Sequence, residues 1–576
     1  MSKLIRIDTR KRTFAVEEMG VYAGLGGRAL TSRLVLNEVP ALCHPLGASN
    51  KLVAAAGVLT GTAAANSGRI SLGAKSPLTG GIKESNSGGL FSQKMAKLGI
   101  QALVFEDKPD EGAVPVVVVV TAGGVAIKEA PELAGLGTYA ASEKLLAAYG
   151  SRAAVMLIGP AGETCRLAAS VQFTDPKGRP ARAAGRGGLG AVMGSKKIKA
   201  VVVDDTGAPG VPVADKEAFK AANKRWVEIL GSHPVTSQGL PGFGTSILVN
   251  IINEAGALPT KNFRFGRFDH AADISGEKMV ELMNARGGKP KEGCHPGCVI
   301  QCSQTFVDEK GGYLSSGLEY ETVWAFGANS LISDIDDIAR MDHACDDLGL
   351  DTIDMGNAVA VAMDGGIIPW GDSKAALELL HRVGDPSDSL GRIMGNGAKF
   401  AGQAFGVTRV AEVKGQALPA YDPRSVKGVG VTYATTPMGA DHTAGYAVCQ
   451  NILKCGGDVN PMGKAGQVEL SKNLQIATAA IDAVGFCLFV AFAVLDTADA
   501  VQVMCDQIAA VTGKAFAPAD FLVLGVNTLK DEITFNTKAG FTKEHDQLPE
   551  FFAEPLAPHN TVWDFTPDEL QGAKVL

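Results

Sequence analysis

Between Glu292 and Gln304 the chain reads EGCHPGCVIQCSQ, which places Cys294, Cys298 and Cys302 within nine residues. No other stretch restricts the fold as tightly, because three thiols this close converge on a single centre if the loop between them can turn. Pro296 and Gly297 lie between the first two and supply such a turn. The chain holds ten cysteines and does not start like an exported protein, so a disulfide framework is not expected; the reduced cytoplasm is. Clustered thiols then point to metal. Four thiolates are the usual complement of a [4Fe-4S] cluster, so the loop is one ligand short. Zinc would also want a fourth Cys or His nearby, and His295, adjacent to Cys294, is badly placed for it. The spacing also differs from the three-then-two cysteine pattern of radical enzymes that use S-adenosylmethionine.

A chain of 576 residues exceeds the ~250–300 that one core serves, which predicts about three domains. Its 61 acidic and 54 basic residues are dispersed, so no nucleic-acid partner is expected. The N-terminus, MSKLIRIDTRKRTFAVEEMG, alternates apolar and polar residues around DTRKR and reads as a hairpin, not a signal peptide. Ile476 to Leu495 comes near membrane-spanning length. It contains Asp482, which costs roughly 2.5–3.5 kcal/mol near a bilayer centre, and a central glycine. A buried core helix is the better reading, with no membrane span.

The first two hundred residues are rich in glycine and in β-branched runs such as Pro115 to Val120 and Lys199 to Asp205. A Gly/Pro-containing connector near 204–215 precedes a change to helical periodicity, and a second boundary is expected between Val407 and Leu418. The class is α+β, with a sheet-rich N-terminal domain at 1–209 and two mainly helical domains at 210–412 and 413–576. No repeat of solenoid period is present.

Glycine-rich loops occur at Gly24–Arg28, Ser85–Gly89 and Gly185–Gly194, with Arg69, Arg182 and Arg186 near them in sequence. Each can bring backbone N–H groups against a phosphate. The third follows a polar run instead of the first strand of a βαβ unit, which argues against a dinucleotide and leaves two readings, glycines that serve sheet packing and, favoured, glycines that meet another phosphate-bearing cofactor. Two further phrases share a theme: DDLGLD (Asp346 to Asp351) and DAVGFC (Asp482 to Cys487) are both Asp-x-x-Gly, then an apolar residue and a polar or ligating one.

Along almost its full length the chain resembles the aldehyde:ferredoxin oxidoreductases, tungsten or molybdenum bis-pyranopterin enzymes. The resemblance is carried, in order, by GGRAL, LTGTAAANSGR, SPLTGGIKESNSGG, RAAGRGGLGAVMGSKKIKA, LEYET, DDLGLDTID, YDPRSVKGVGVTYATTPMGADH, DAVGFC and NTKAGFTKEHDQLP. It implies that Cys487 is the fourth cluster ligand, delivered from a distant helix to join Cys294, Cys298 and Cys302. It implies that Asp346, Asp351 and Asp482 accept hydrogen bonds from the pterins, as carboxylates suit rings presenting adjacent donors. Arg69, Asn86 and Arg182, with Gly185, Gly187, Gly188 and Gly190, would contact the pterin phosphates and a bridging Mg²⁺.

The resemblance further implies oxidation of an aldehyde by groups that do not ligate the metal: His442 of MGADH and a carboxylate of LEYET, Glu321 or Glu319, with Glu321 preferred. Electrons would leave singly to a ferredoxin or a small iron-sulfur subunit, and a homodimer is compatible with the family. A same-cofactor oxidoreductase subunit with a non-aldehyde substrate, and a non-catalytic iron-sulfur electron carrier, are the competing functions. One departure stands out: the family's first cysteine spacing is Cys-x2-Cys, and here it is Cys-x3-Cys. A family motif for a subunit-bridging metal, Glu-x-x-His, has one match, Glu378 to His381, in a different context and read as surface.

Overall fold

The computed structural model describes residues 2–575. Residues 3–204 form two six-stranded sheets in which one order of strands and longer helices occurs twice, with a short helix, Pro160–Glu163, added in the second. The first half runs β1 (Lys3–Asp8), β2 (Thr13–Glu18), a helix (Gly27–Glu38), β3 (Leu52–Ala56), β4 (Ile70–Lys75), β5 (Ile82–Ser87), a helix (Phe91–Lys97) and β6 (Ile100–Glu106). The second runs β7 (Val116–Thr121), β8 (Gly124–Glu129), a helix (Thr138–Tyr149), β9 (Ala154–Leu157), β10 (Val171–Phe173), β11 (Arg182–Ala184), a helix (Leu189–Ser195) and β12 (Ile198–Asp204). Sheet orders β2-β1-β6-β3-β4-β5 and β8-β7-β12-β9-β10-β11 are the same, each with one parallel pair, β1 with β6 and β7 with β12. The N-terminal hairpin forms as the alternation predicts, with Lys3 opposite Glu18 and Asp8 opposite Thr13.

Burial on both faces explains the β-branched runs. Val116, Val118 and Val120 join Ile5, Leu52, Leu72 and Leu103 in a core shared by the two sheets, while Val117 and Val119 face the helix Thr138–Tyr149. All five valines are less than 10 % exposed, and each contributes ~1.5–3 kcal/mol relative to exposure.

The chain is mainly helical after Asp204, beginning with Lys216–Ser232. One apolar cluster takes in residues from Leu59 to Ala573, with members on both sides of position 412. A short hairpin, Glu412–Val413 with Gln416–Ala417, occupies the 407–418 stretch. The reading of Ile476 to Leu495 as one core helix needs correction. The helix Gln467–Val484 ends at Gly485, whose φ of 92° lies in the left-handed region, and a new helix starts at Ala491. Cys487 therefore sits in the break and not on a helix. Among the described residues no helix is long and apolar enough to cross a membrane. Glu378 and His381 are exposed on the helix Ser373–Arg382, as expected of a surface string.

Candidate functional site

Both Asp-x-x-Gly phrases fold into one local structure. Asp346 lies in the last turn of the helix Ile335–Leu348 and Asp482 in the last turn of Gln467–Val484. Gly349 and Gly485 follow with φ of 73° and 92°, and the next N–H reaches back to a helix carbonyl, Leu350 to Cys345 (2.8 Å) and Phe486 to Ile481 (3.2 Å). Each terminus docks on one half of the duplicated domain through a close glycine contact. A Cβ on Gly159 would lie 2.3 Å from the Leu348 carbonyl oxygen, and one on Gly57 would lie 2.2 Å from the Gly485 Cα. The two aspartates thus reach a single cavity of about 370 Å³ from two sides.

That cavity is lined by Arg69, Asn86, Arg182, Gly185, Glu319, Glu321, Asp346, Asp351, His442 and Asp482, with Cys294, Cys302 and Cys487. Residues from every part of the sequence-predicted site are brought together, yet not all predicted residues reach the lining. Gly187, Gly188 and Gly190 do not line it. Gly187 and Gly188 have φ of 82° and 75° and turn the chain into the helix Leu189–Ser195, and a Cβ on Gly187 would meet the Lys83 side chain at 2.5 Å. Gly190 spends its N–H on the Ala169 carbonyl (3.0 Å). Gly185 alone of the four faces open space, with only Asp351 Oδ1 near, at 3.9 Å.

The cysteines are gathered by a residue the sequence reading passed over. Asn66, with φ of 61°, donates from Nδ2 to Cys298 Sγ (3.5 Å) and from its backbone to the Gly297 carbonyl (3.0 Å). Its side-chain oxygen accepts the Val299 N–H (3.0 Å), and its carbonyl accepts the Cys487 N–H (2.8 Å). One residue therefore ties the loop, through its side chain, to Cys487, through its backbone carbonyl. Gly297, at φ of 80°, takes up the longer first spacing. All ten cysteines are free, and Cys298 Sγ also accepts the Gln301 N–H (3.3 Å). Burial raises the Cys302 thiol and pushes that of Cys487 up to about 11, whereas a hydrogen bond from Cys298 holds Cys294 low. A cation at this corner would deprotonate the raised thiols.

On the other side, His442 Nε2 lies 3.3 Å from Glu321 Oε1, with side chains 15 % and 12 % exposed. Burial pushes Glu321 up to about 8, against the Ala420 N–H that Oε2 accepts at 2.9 Å. Burial pushes His442 down to about 4, partly opposed by the neighbouring Asp441 carboxylate. Near neutral pH the pair is an uncharged carboxylic acid facing an uncharged imidazole, not an ion pair. Glu319, two residues away, is turned elsewhere: Oε2 accepts from Thr245 Oγ1 (2.6 Å), and Oε1 lies 4.0 Å from Arg182. The carboxylate that faces the histidine is Glu321.

Buried charge surrounds both corners. Lys83 and Asp441 pair at 3.0 Å beside His442. Arg28 donates to both oxygens of Glu532 (2.8 and 2.9 Å) and to Asp482 (3.3 Å), and burial pushes Asp482 up to about 8. Asp351 caps the helix Thr352–Asp364 through the Ile353 N–H (2.9 Å) and lies 3.4 Å from Arg186. Lys83, Arg28 and Asp441 fall within or beside phrases quoted above, but their pairings join residues hundreds of positions apart, so no spacing announces them. Some buried polar atoms of the lining, Ser87 Oγ, Arg182 Nε, Glu321 Oε1 and His442 Nδ1, have no protein partner. Buried polar groups are normally paired, so these are aimed at something other than protein.

Known families account for this arrangement. Residues 4–205 match the family model described as aldehyde ferredoxin oxidoreductase, N-terminal domain, and residues 221–570 match its domains 2 and 3. The chain belongs to the aldehyde ferredoxin oxidoreductase family. It is 35 % identical to the tungsten-containing aldehyde ferredoxin oxidoreductases of Pyrococcus furiosus and Thermococcus kodakarensis, over 96 % of this chain and 92 % of each relative. An aliphatic sulfonate oxidoreductase WOR-like subunit of Pyrococcus furiosus is 27 % identical, over 77 % of this chain and 75 % of that one. The active site complex BamBC of benzoyl coenzyme A reductase shares the fold, at a TM-score of 0.78 and 18 % identity, covering 99 % of this chain and 93 % of that one. This family member is therefore an oxidoreductase.

Proposed function

We propose that this chain oxidises aldehydes to carboxylic acids at a tungsten or molybdenum bis-pyranopterin in the cavity, with electrons leaving through a [4Fe-4S] cluster to ferredoxin or a small iron-sulfur subunit. The observation that carries the proposal is the buried Glu321–His442 pair on the same cavity as Cys294, Cys302 and Cys487. The donor set fits the cofactors. Four free cysteines are available to a cluster, the buried carboxyl groups of Asp346 and Asp482 offer acceptor oxygens to pterin N–H groups although burial favours their protonated form, and the orphaned Arg182 Nε and Ser87 Oγ suit an anionic, hydrogen-bonding guest.

Cys294, Cys298, Cys302 and Cys487 would hold the cluster. Asp346, Asp351 and Asp482 would accept from the pterins, while Arg69, Asn86, Arg182 and Gly185 would meet the phosphates and their Mg²⁺. Gly187, Gly188 and Gly190 would shape that loop without touching the guest. In the division 1–209, 210–412 and 413–576, the first part grips phosphate, the second brings three cysteines with Glu321 and Asp346, and the third brings His442, Asp482 and Cys487. When bound, the metal–pterin group would supply a two-electron acceptor, and a cluster held by Cys294, Cys298, Cys302 and Cys487 would supply a one-electron exit.

The protein's own share is proton handling: an aldehyde and a water become a carboxylic acid, two protons and two electrons. Protonated Glu321 can donate to the carbonyl oxygen and polarise it. Neutral His442 offers a lone pair that can take the proton of the attacking water. The Lys83–Asp441 pair sets the charge beside His442, with Asp441 Oδ1 3.9 Å from Nδ1, and the hydrogen-bonded hydroxyls of Tyr421 and Tyr446 (2.6 Å) belong to the same lining.

The test is metal and pterin analysis of anaerobically purified protein together with viologen reduction across a panel of aldehydes. One tungsten or molybdenum and two pterins per chain with aldehyde-dependent reduction are expected. The sulfonate-oxidising relative favours one second reading, the same cofactor with a non-aldehyde substrate. A full metal complement without reduction by any aldehyde would select that reading, and absence of the metal would leave only an electron carrier.

A further inference from the structure

We infer that His233, Cys455 and Asp496 form a binding site for a divalent transition cation of the zinc type, separate from the cavity. His233 follows the helix Lys216–Ser232, Cys455 lies in the loop after the helix Val448–Asn451, and Asp496 ends the helix Ala491–Asp496. A ring nitrogen of His233, Sγ of Cys455 and a carboxylate oxygen of Asp496 all lie within 4.8 Å of one another. Such a spread is close to what one small cation needs, since ligand bonds of ~2.0–2.3 Å put ligand atoms within ~4 Å of each other.

The three groups are held in place. His233 Nε2 is 3.0 Å from Asp496 Oδ2, and Asp496 Oδ1 accepts the Gly456 N–H at 2.6 Å, which orients the carboxylate. His233 Nδ1 is buried without a partner, so no competing hydrogen bond turns the ring away. Cys455, 5 % exposed, hydrogen-bonds the Asp496 carboxylate and has a long contact from Sγ to the Leu453 carbonyl, at 3.7 Å. With Asp496 as the common partner, an imidazole, a thiol and a carboxylate are gathered around one point, all within 4.8 Å.

One thiolate, one imidazole and one carboxylate suit a borderline-soft dication, and the thiolate disfavours Mg²⁺ or Ca²⁺. The Asp496 side chain is 39 % exposed, so a fourth position is open to water. Binding replaces the S–H bond of Cys455 by a metal–sulfur bond and releases the proton to solvent. Its consequence is mechanical. Helix Ala491–Asp496 carries Phe492, which lines the cavity and packs edge-on against Tyr446 at 6.1 Å. A cation at its last residue would clamp that wall to the helix Lys216–Ser232.

The experiment uses the full chain, purified anaerobically with its own cofactors, exposed to Zn²⁺ or Co²⁺ and desalted. One equivalent of Zn²⁺ should remain per chain, and Co²⁺ should give a near-ultraviolet sulfur-to-metal charge-transfer band. Cys455→Ala should abolish the band and lower affinity by more than the ~10–100-fold that loss of an outer-shell partner costs. Iron and tungsten or molybdenum contents should be unchanged. If a truncation disturbs folding, Asp496→Asn, close to isosteric, decides by the same loss of affinity at full iron content. Wild type that retains neither cation, or a band and affinity that persist in Cys455→Ala or Asp496→Asn, overturns the site.

Discussion

Replacing Glu321 by Gln probes the proton chemistry with little change of shape. Oε2 accepts the Ala420 N–H at 2.9 Å, a bond an amide oxygen can keep, and the amide NH₂ can point to His442 Nε2 in place of the carboxyl proton 3.3 Å away. The 3.3 Å is the distance from Oε1 to Nε2, a contact without hydrogen-bond geometry, so what is lost is the proton Glu321 can transfer. A positioned acid or base contributes ~10²–10⁴-fold, or about 2.7–5.4 kcal/mol at 1.36 kcal/mol per tenfold, and kcat for aldehyde-dependent viologen reduction should fall by that factor. The wild-type profile should be flat between about pH 4, where His442 protonates, and about pH 8, where Glu321 ionises. Glu321→Gln should lose the alkaline limb. Stability changes in a matching sense. The folded chain holds a Glu321 proton that the unfolded chain, near 4.5, has released, so this contribution is complete below pH 4.5 and is lost as pH rises toward 8. Thermal unfolding at pH 5 and 7.5 should show a smaller pH-dependent loss in Glu321→Gln. Near-normal kcat at full metal occupancy, with the alkaline limb intact, would refute the assignment.

His442→Ala should keep iron, metal and pterin and cost a similar factor, and the double variant with Glu321→Gln should cost far less than the product of the single losses, as measured by the same kinetics. Cys487→Ala should lose the cluster or leave a three-iron form, read by EPR of the reduced protein, because Asn66 delivers that thiol to the loop. Asn66→Ala strands the Val299 N–H and the Cys298 sulfur contact and puts a non-glycine side chain without an amide at φ of 61°. It should lower the unfolding free energy by ~1–3 kcal/mol and speed iron loss to a chelator. Gly485→Ala would press a Cβ to 2.4 Å from Thr60 Oγ1 at φ of 92°, and should reduce cluster iron more than a substitution on the exposed helix Ser373–Arg382, read by metal analysis.

Local chemistry was legible in the sequence. The three-cysteine loop, the valine runs and the shared pattern of the two Asp-x-x-Gly phrases depend on residues within one turn or strand, where thiol proximity and side-chain alternation act directly. The three-residue cysteine spacing was readable too, although only the positive φ of Gly297 shows how the loop closes. Tertiary structure decided the rest. The sequence reading prefers Glu321 but leaves Glu319 open, and only the start of a helix at Tyr320 turns Glu319 to Thr245 and Arg182 and Glu321 to His442. The break at Gly485 that takes Cys487 off its helix, the duplicated sheets with no repeat visible in the sequence, and the pairs Lys83–Asp441 and Arg28–Glu532 all depend on long-range contacts. The perturbed acidities follow the same division, because desolvation is a property of what packs around a group. The residue type sets the reference acidity of Glu321 and His442, and only the closed cavity pushes them to about 8 and about 4.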